Sequence, residues 1–219
     1  MPEPQLVLLR HGETAWSRTG QHTGTSDIPL TPHGEEQARA AGAFLAGRTF
    51  TLTLCSPLLR ARRTAELAGH PDATVEPRLA EWDYGPVEGR TADDVSREIG
   101  HDWLIFRDGV HVVPRAQGTP GEPGTRPGET LDDVADRAHA VVQRVEPVLH
   151  DGGDVLLVAH GHLLRVLAAV WLGLDPATAA RFELGTASIS LLGHGHGLRT
   201  VEGWNLPTDR PGHRAATPP

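Results

Sequence analysis

Two apolar runs in this chain end in the same way. Residues 6–9, LVLL, deliver Arg10, His11 and Gly12, and residues 154–159, DVLLVA, deliver His160, Gly161 and His162. Neither run alternates with polar residues. A strand that is apolar on both faces has to be covered on both faces, which is the situation of a parallel strand between two layers of helix. In open sheets of that kind, ligands sit at the carboxyl ends of the strands. The two histidine motifs, far apart in sequence, are therefore expected at one edge of one sheet.

The rest of the chain supports that class. Residues 31–47 read as a helix, with Thr31 as N-cap, Pro32 at the first helical position and Glu35 and Glu36 in the first turns. Further helices are expected over 57–68, 91–99, 130–149 and 163–172, and further strands over 52–55, at Val75 and over 188–192. Strands alternating with helices predict an α/β fold with a mainly parallel sheet. Residues 114–128 are dense in proline and glycine and predict a long loop without an element of its own. We expect a single domain over 1–206 with a cap or insertion at about 82–128, and a disordered tail over 207–219.

The formal net charge is -8, which argues against nucleic acid or a membrane surface as partner. All 20 basic residues are arginine. A site for an anion must therefore be built from arginine or histidine, and lysine-based chemistry is excluded. Cys55 is the single cysteine, so no intramolecular disulfide forms. With no long apolar run and no basic leader at the start, a cytoplasmic location is expected.

Arg10, His11, Arg60 and His160 all fall at or just past expected strand ends. Two guanidiniums and two imidazoles make a cradle for a phosphoryl group. Glu81, flanked by Leu79 and Trp82, offers a carboxyl that is partly desolvated and so kept protonated near neutral pH. Asp83 and Glu88 lie near enough to compete for that role.

The ordered pieces LLRHGETAWS, TGTSDIPLTPHGEEQA, CSPLLRARRTA, LAEWDYGPVEG, RPGET and VAHGHLLR resemble the histidine phosphatase superfamily, in its phosphoglycerate mutase-like branch. The motif combination is closest to the sugar-phosphatase and broad acid phosphatase subgroup. The resemblance implies a three-layer α/β/α sandwich. It implies His11 as nucleophile, Glu81 as proton donor, and Arg10, Arg60 and His160 as the phosphate pocket. On the substrate side it points to Ser17, Thr23, Gly24, Gly161 and His162. Ser17 stands where the family often has Asn, and its side chain reaches less far. No metal or other cofactor is implied, and the partner is a small-molecule phosphate ester. A homodimer is the implied assembly.

The expected chemistry follows from these assignments. His11 attacks phosphorus through one ring nitrogen while the other bonds a carbonyl near Gly12. Gly12 lets the backbone turn close to the phosphate. Glu81 protonates the leaving oxygen and then activates the water that hydrolyses phospho-His11. The function expected is hydrolysis of a small phosphorylated metabolite, a sugar phosphate or similar. A cofactor-dependent phosphoglycerate mutase, or a phospho-ligand-binding module without turnover, would carry the same motifs. Some residues have a plainer reading. Arg62 and Arg63 read as surface charges, and His194 and His196 in HGHG as a turn rather than a metal pair. Trp82, Tyr84, Trp103 and Phe106 suit a cap or a core equally. His162 suits a phosphate contact or a helix start facing solvent.

Overall fold

The computed structural model describes residues 3–119 and 121–208. Six strands form one sheet in the order β3-β2-β4-β1-β5-β6, where β1 is Leu6–Arg10, β2 Leu52–Cys55, β3 Thr74–Val75, β4 Val155–Ala159, β5 Ile189–Gly195 and β6 Leu198–Leu206. The first four in that order run parallel, while β5 runs antiparallel to both β1 and β6. The sheet is therefore mixed, with its parallel half where the apolar runs lie.

Alternation along β1 shows why both faces had to be apolar. Leu6 and Leu8 pack into a core shared with α6 (Leu131–His150) and α7 (Gly161–Trp171), while Val7 and Leu9 pack with α2 (Pro32–Leu45) and α3 (Leu59–Leu67) on the other side. This is the three-layer α/β/α arrangement. The cap read from sequence is present: Thr31 Oγ1 accepts the Gly34 N–H. Thr130, expected as the first helical residue, is the N-cap of α6 and forms a reciprocal capping box with Asp133.

Several elements differ from expectation. Two short helices, α1 (Ala15–Thr19) and α5 (Ile105–Asp108), were not legible; a helix of four or five residues carries too little periodicity. Between them, α4 (Ala92–Ile99) lies where a helix was expected. α7 begins at Gly161, two residues before the expected start, because Glu81 caps it from outside. The late strand runs on to Gly195 and pairs with β6, an edge strand that the sequence reading lacked. His196 and Gly197, both at positive φ, make the hairpin turn, so HGHG is half strand and half turn.

Among the described residues, 114–128 contain no helix or strand. The far end of this segment is docked beside the segment that carries Glu81. The Glu129 N–H donates to the Asp83 carbonyl, and Arg126 pairs with the Asp83 carboxylate at 2.5 Å. Gly85 and Gly128 touch backbone to backbone: a Cβ on Gly85 would lie 2.5 Å from the Gly128 nitrogen. Of the tail expected over 207–219, residues 209–219 lie outside the described residues, while Thr208 donates its hydroxyl to the Ala187 carbonyl. No described helix is long and apolar enough to cross a membrane.

Candidate active site

Register brings the motifs together. Arg10 pairs with Ala159 and Cys55 with Val158. The ladder continues one residue further, with the His11 N–H on the Ala159 carbonyl and the Ser56 N–H on the Val158 carbonyl. His11, Ser56 and His160 therefore emerge side by side at one sheet edge. The His11 and His160 ring centroids are 5.1 Å apart.

His11 is 4 % exposed, and its Nδ1 lies 2.7 Å from the Gly12 carbonyl oxygen. A carbonyl only accepts, so Nδ1 carries the proton and Nε2 keeps its lone pair. Burial, then the charges of Arg60 and Arg10, hold the imidazole well below its ordinary pKa, and the bond to Gly12 only partly opposes them. The ring is thus unprotonated at Nε2 and held in one orientation.

Gly12 itself has another purpose than the one expected. A Cβ there would lie 2.3 Å from the Gly34 carbonyl oxygen, so the glycine admits the start of α2 rather than a phosphate. Its N–H is held by Thr64 Oγ1 at 3.1 Å.

The two arginines are used differently. Arg60 is fully buried and makes four bonds. Its Nε–H donates to His160 Nδ1, its Nη1 to the Ser26 carbonyl, and its Nη2 to the carbonyls of Thr23 and Gly24. One of its five N–H groups is left over. Arg10 donates from Nη1 to the Leu184 carbonyl at 2.5 Å. Its Nε, buried, has no partner among the described residues. Arg10 is therefore the open fork, and Arg60 a charge with one free donor. Gly161 makes room for that fork: a Cβ there would lie 3.3 Å from Arg10 Cζ.

His160 is fully buried, and burial followed by the Arg60 charge lowers its pKa well below the ordinary value. Since Arg60 donates to Nδ1, the proton sits on Nε2 and points at Ser56 Oγ, 2.7 Å away. An N–H donor is present as expected, but a hydroxyl of this chain receives it in the structure.

Glu81 is 7 % exposed. Its carboxyl oxygens accept the N–H groups of Trp82, His162 and Leu163 at 2.9–3.1 Å. It thus supplies the cap that the His160 side chain does not give α7. The competing acids are occupied elsewhere. Asp83 pairs with Arg126 and takes the Gly85 N–H, and Glu88 takes the N–H groups of Gly24 and Ser26.

The substrate-side residues divide. Ser17 Oγ closes the capping box of α1 with Thr14. Thr23 and Gly24 contribute carbonyls to Arg60. The His162 ring does not face open solvent. It stands among Trp82, Tyr84, Phe106 and His22, with Nδ1 2.5 Å from the Tyr84 hydroxyl. Trp82, Tyr84 and Trp103 are buried, and Phe106 packs against the same core.

Sequence reasoning missed Ser56, Thr64, Glu88 as a loop anchor, and His22. Ser56 alone had a readable signal, since it follows a strand end in the same way that His11 and His160 do.

Comparison with known proteins agrees with this geometry. The family model of the histidine phosphatase superfamily (branch 1) matches residues 6–207. An acid phosphatase of Mycobacterium tuberculosis is 40 % identical over 199 residues, covering 90 % of each chain. A sedoheptulose 1,7-bisphosphatase of Saccharomyces cerevisiae is 32 % identical over 200 residues, covering 78 % of this chain and 68 % of its own. The solved structure of an open reading frame from Mycobacterium tuberculosis superposes with a TM-score of 0.82 at 37 % identity, over 94 % of this chain and all of its own. With its strand-end histidines, the two arginines beside them and a family match along nearly the whole described length, this chain belongs to the histidine phosphatase superfamily.

Proposed function

We propose that this protein hydrolyses small phosphate monoesters through a phosphohistidine formed on Nε2 of His11. The observation that carries the reading is the Nδ1 contact of His11 with the Gly12 carbonyl. It leaves the other nitrogen unprotonated beside two guanidiniums. The open fork of Arg10 and the remaining Arg60 N–H supply positive potential for the phosphoryl oxygens. Glu81 protonates the leaving oxygen, then takes a proton from the attacking water. Binding and both half-reactions are assigned to side chains and backbone, with no cofactor called for.

Hydrolysis is favoured over the mutase reading by the state of the cap arginines. Arg90 pairs with Glu98, Arg97 with Asp94, Arg107 with Asp108 and Arg126 with Asp83. A mutase needs basic groups free for a substrate carboxylate, and here four of the five arginines between 82 and 128 already hold carboxylates of this chain.

The substrate is proposed to carry hydroxyl groups near the phosphate. Burial pushes the Tyr84 phenol well above its ordinary pKa, so it keeps its proton; we assign that O–H as the donor to His162 Nδ1, which puts the ring proton on His162 Nε2. His22 Nδ1 donates to the Arg90 carbonyl at 2.8 Å, which leaves its Nε2 as an acceptor. The two rings lie parallel, 5.9 Å apart. A neutral donor and a neutral acceptor side by side suit a polyol, as the sugar-phosphate relative above would lead one to expect. A cytoplasmic enzyme working as a homodimer completes the reading.

The test is rapid-quench trapping of labelled phosphate from p-nitrophenyl phosphate in the presence of a chelator. The wild type should show a burst of protein-bound phosphate, and His11→Ala none. Trapping at wild-type level on the variant would overturn the assignment.

A further inference from the structure

We propose that Glu88 is a positioning residue that holds Arg60 in place through the main chain of residues 23–26. This deepens the phosphatase reading, and it rests on that reading only in taking the Arg60 side of the cradle as part of the phosphate site.

The geometry has three links. Glu88 is 6 % exposed and has no cationic partner within salt-bridge distance among the described residues. Its Oε1 accepts the N–H groups of Gly24 at 3.0 Å and Ser26 at 2.9 Å, and its Oε2 shares the Gly24 N–H at 3.0 Å. The peptide groups on the other side of the same loop point the opposite way. The carbonyls of Thr23, Gly24 and Ser26 accept Arg60 N–H groups at 2.8, 3.0 and 3.0 Å. A carboxylate on one side and a guanidinium on the other thus share one short loop, each bonded to its peptide dipoles. Arg60 then passes the constraint on to His160 through its Nε–H.

The charges explain why the arrangement needs the carboxylate. A fully buried guanidinium without a directly paired anion is costly. Carbonyls satisfy its hydrogen bonds but carry no net charge. Glu88 supplies that charge one peptide layer away, and polarises the Thr23–Gly24 peptide, whose N–H it accepts and whose oxygen faces Arg60. The packing leaves little slack. A Cβ on Gly24 would lie 2.6 Å from Glu88 Oε2 and 2.5 Å from the Trp82 carbonyl oxygen. Burial pushes the Glu88 carboxyl above its ordinary pKa, and the bonds from Ser26 and Gly24 pull it back. Glu88 does not touch the reacting atoms in this reading, which separates it from Glu81.

The test is a double-mutant cycle read by calorimetric titration with inorganic phosphate. Glu88→Gln keeps the size but turns an NH2 toward backbone N–H groups. It should weaken phosphate about tenfold in the wild-type background and less than twofold in the Arg60→Met background, because the contact acts through Arg60. Loss of equal size in both backgrounds, or no loss in the first, overturns the proposal. Steady-state kinetics give a second reading. KM should rise by the same factor for an alkyl phosphate and for p-nitrophenyl phosphate, whereas a leaving-group-dependent change in kcat would make Glu88 an acid instead.

A third reading needs neither ligand nor turnover. In the ligand-free protein, the Arg60 Nε–H proton should exchange faster with solvent in Glu88→Gln, while that of Arg48, paired with Asp154, stays as it is. Unchanged Arg60 exchange overturns the proposal even if Arg60→Met does not fold. A wild type that binds no phosphate but shows the exchange effect would sink the phosphatase reading and leave the positioning role standing.

Discussion

Arg60 donates its Nε–H to Nδ1 of His160 at 3.2 Å, and that bond decides which nitrogen of the imidazole carries a proton. One guanidinium sets the tautomer of a histidine 100 residues away in sequence, while its other bonds hold the 23–26 loop.

Arg60→Lys keeps the charge and removes the fork. An ammonium has three donors on a single atom and cannot reach His160 and three carbonyls at once. The variant should lose about a hundredfold or more in kcat, and about 2–4 kcal/mol of stability from carbonyls left without donors. Urea unfolding beside a phosphatase assay checks both. Near-normal values would show that charge alone is needed at this position.

Glu81→Gln tests the acid. It should slow the burst of His11 phosphorylation far more for an alkyl phosphate than for p-nitrophenyl phosphate, whose leaving group needs little protonation. The structure adds a second expectation. A carboxamide has one acceptor oxygen for the Trp82 N–H and the two N–H groups at the start of α7, so stability should drop by about 1–3 kcal/mol. Equal slowing of both bursts would move the acid to another group.

Tyr84→Phe removes the hydroxyl that fixes His162. The imidazole then samples both neutral tautomers, visible as averaged 15N shifts of the ring. KM for a polyol phosphate should rise about tenfold more than KM for p-nitrophenyl phosphate, equivalent to one lost hydrogen bond of about 1.4 kcal/mol. Identical changes for both substrates would remove the polyol argument.

Stability should fall on mild acidification. Burial is the largest cause holding His11, His160, His162 and His22 below the ordinary imidazole pKa; the Arg60 charge adds to it for His11 and His160. Once the pH falls below about 6.5, the unfolded chain takes up protons that the folded one refuses. The stabilisation is complete above that value and shrinks as pH falls through it, by up to about 1.4 kcal/mol per histidine per pH unit. The melting temperature should therefore drop steadily from pH 7 to pH 5, and less steeply in His162→Phe. A flat profile would mean that these rings protonate in the folded state.

What the sequence made legible follows from the physics of each feature. The paired strand ends, the helix cap at Thr31 and the convergence of Arg10, His11, Arg60 and His160 rest on local pattern plus one topological rule, and they could be read. The different use of the two arginines could not, because it depends on which carbonyls the 23–26 loop turns inward. The part Ser17 plays in the α1 capping box was not legible either, because it depends on a helix of only five residues. β6 stayed hidden because an edge strand open to solvent lacks an apolar face.

The anchorage of Arg60 on carbonyl oxygens has a consequence for variation. Every residue offers the same carbonyl, so the grip on this arginine is indifferent to the side chains at positions 23 and 26. Mutations there can reshape the surface beside the proposed phosphate site while the Arg60 charge stays where it is. Only position 24 is closed, since any side chain would strike Trp82 and Glu88. A loop built this way lets specificity drift without first breaking the chemistry.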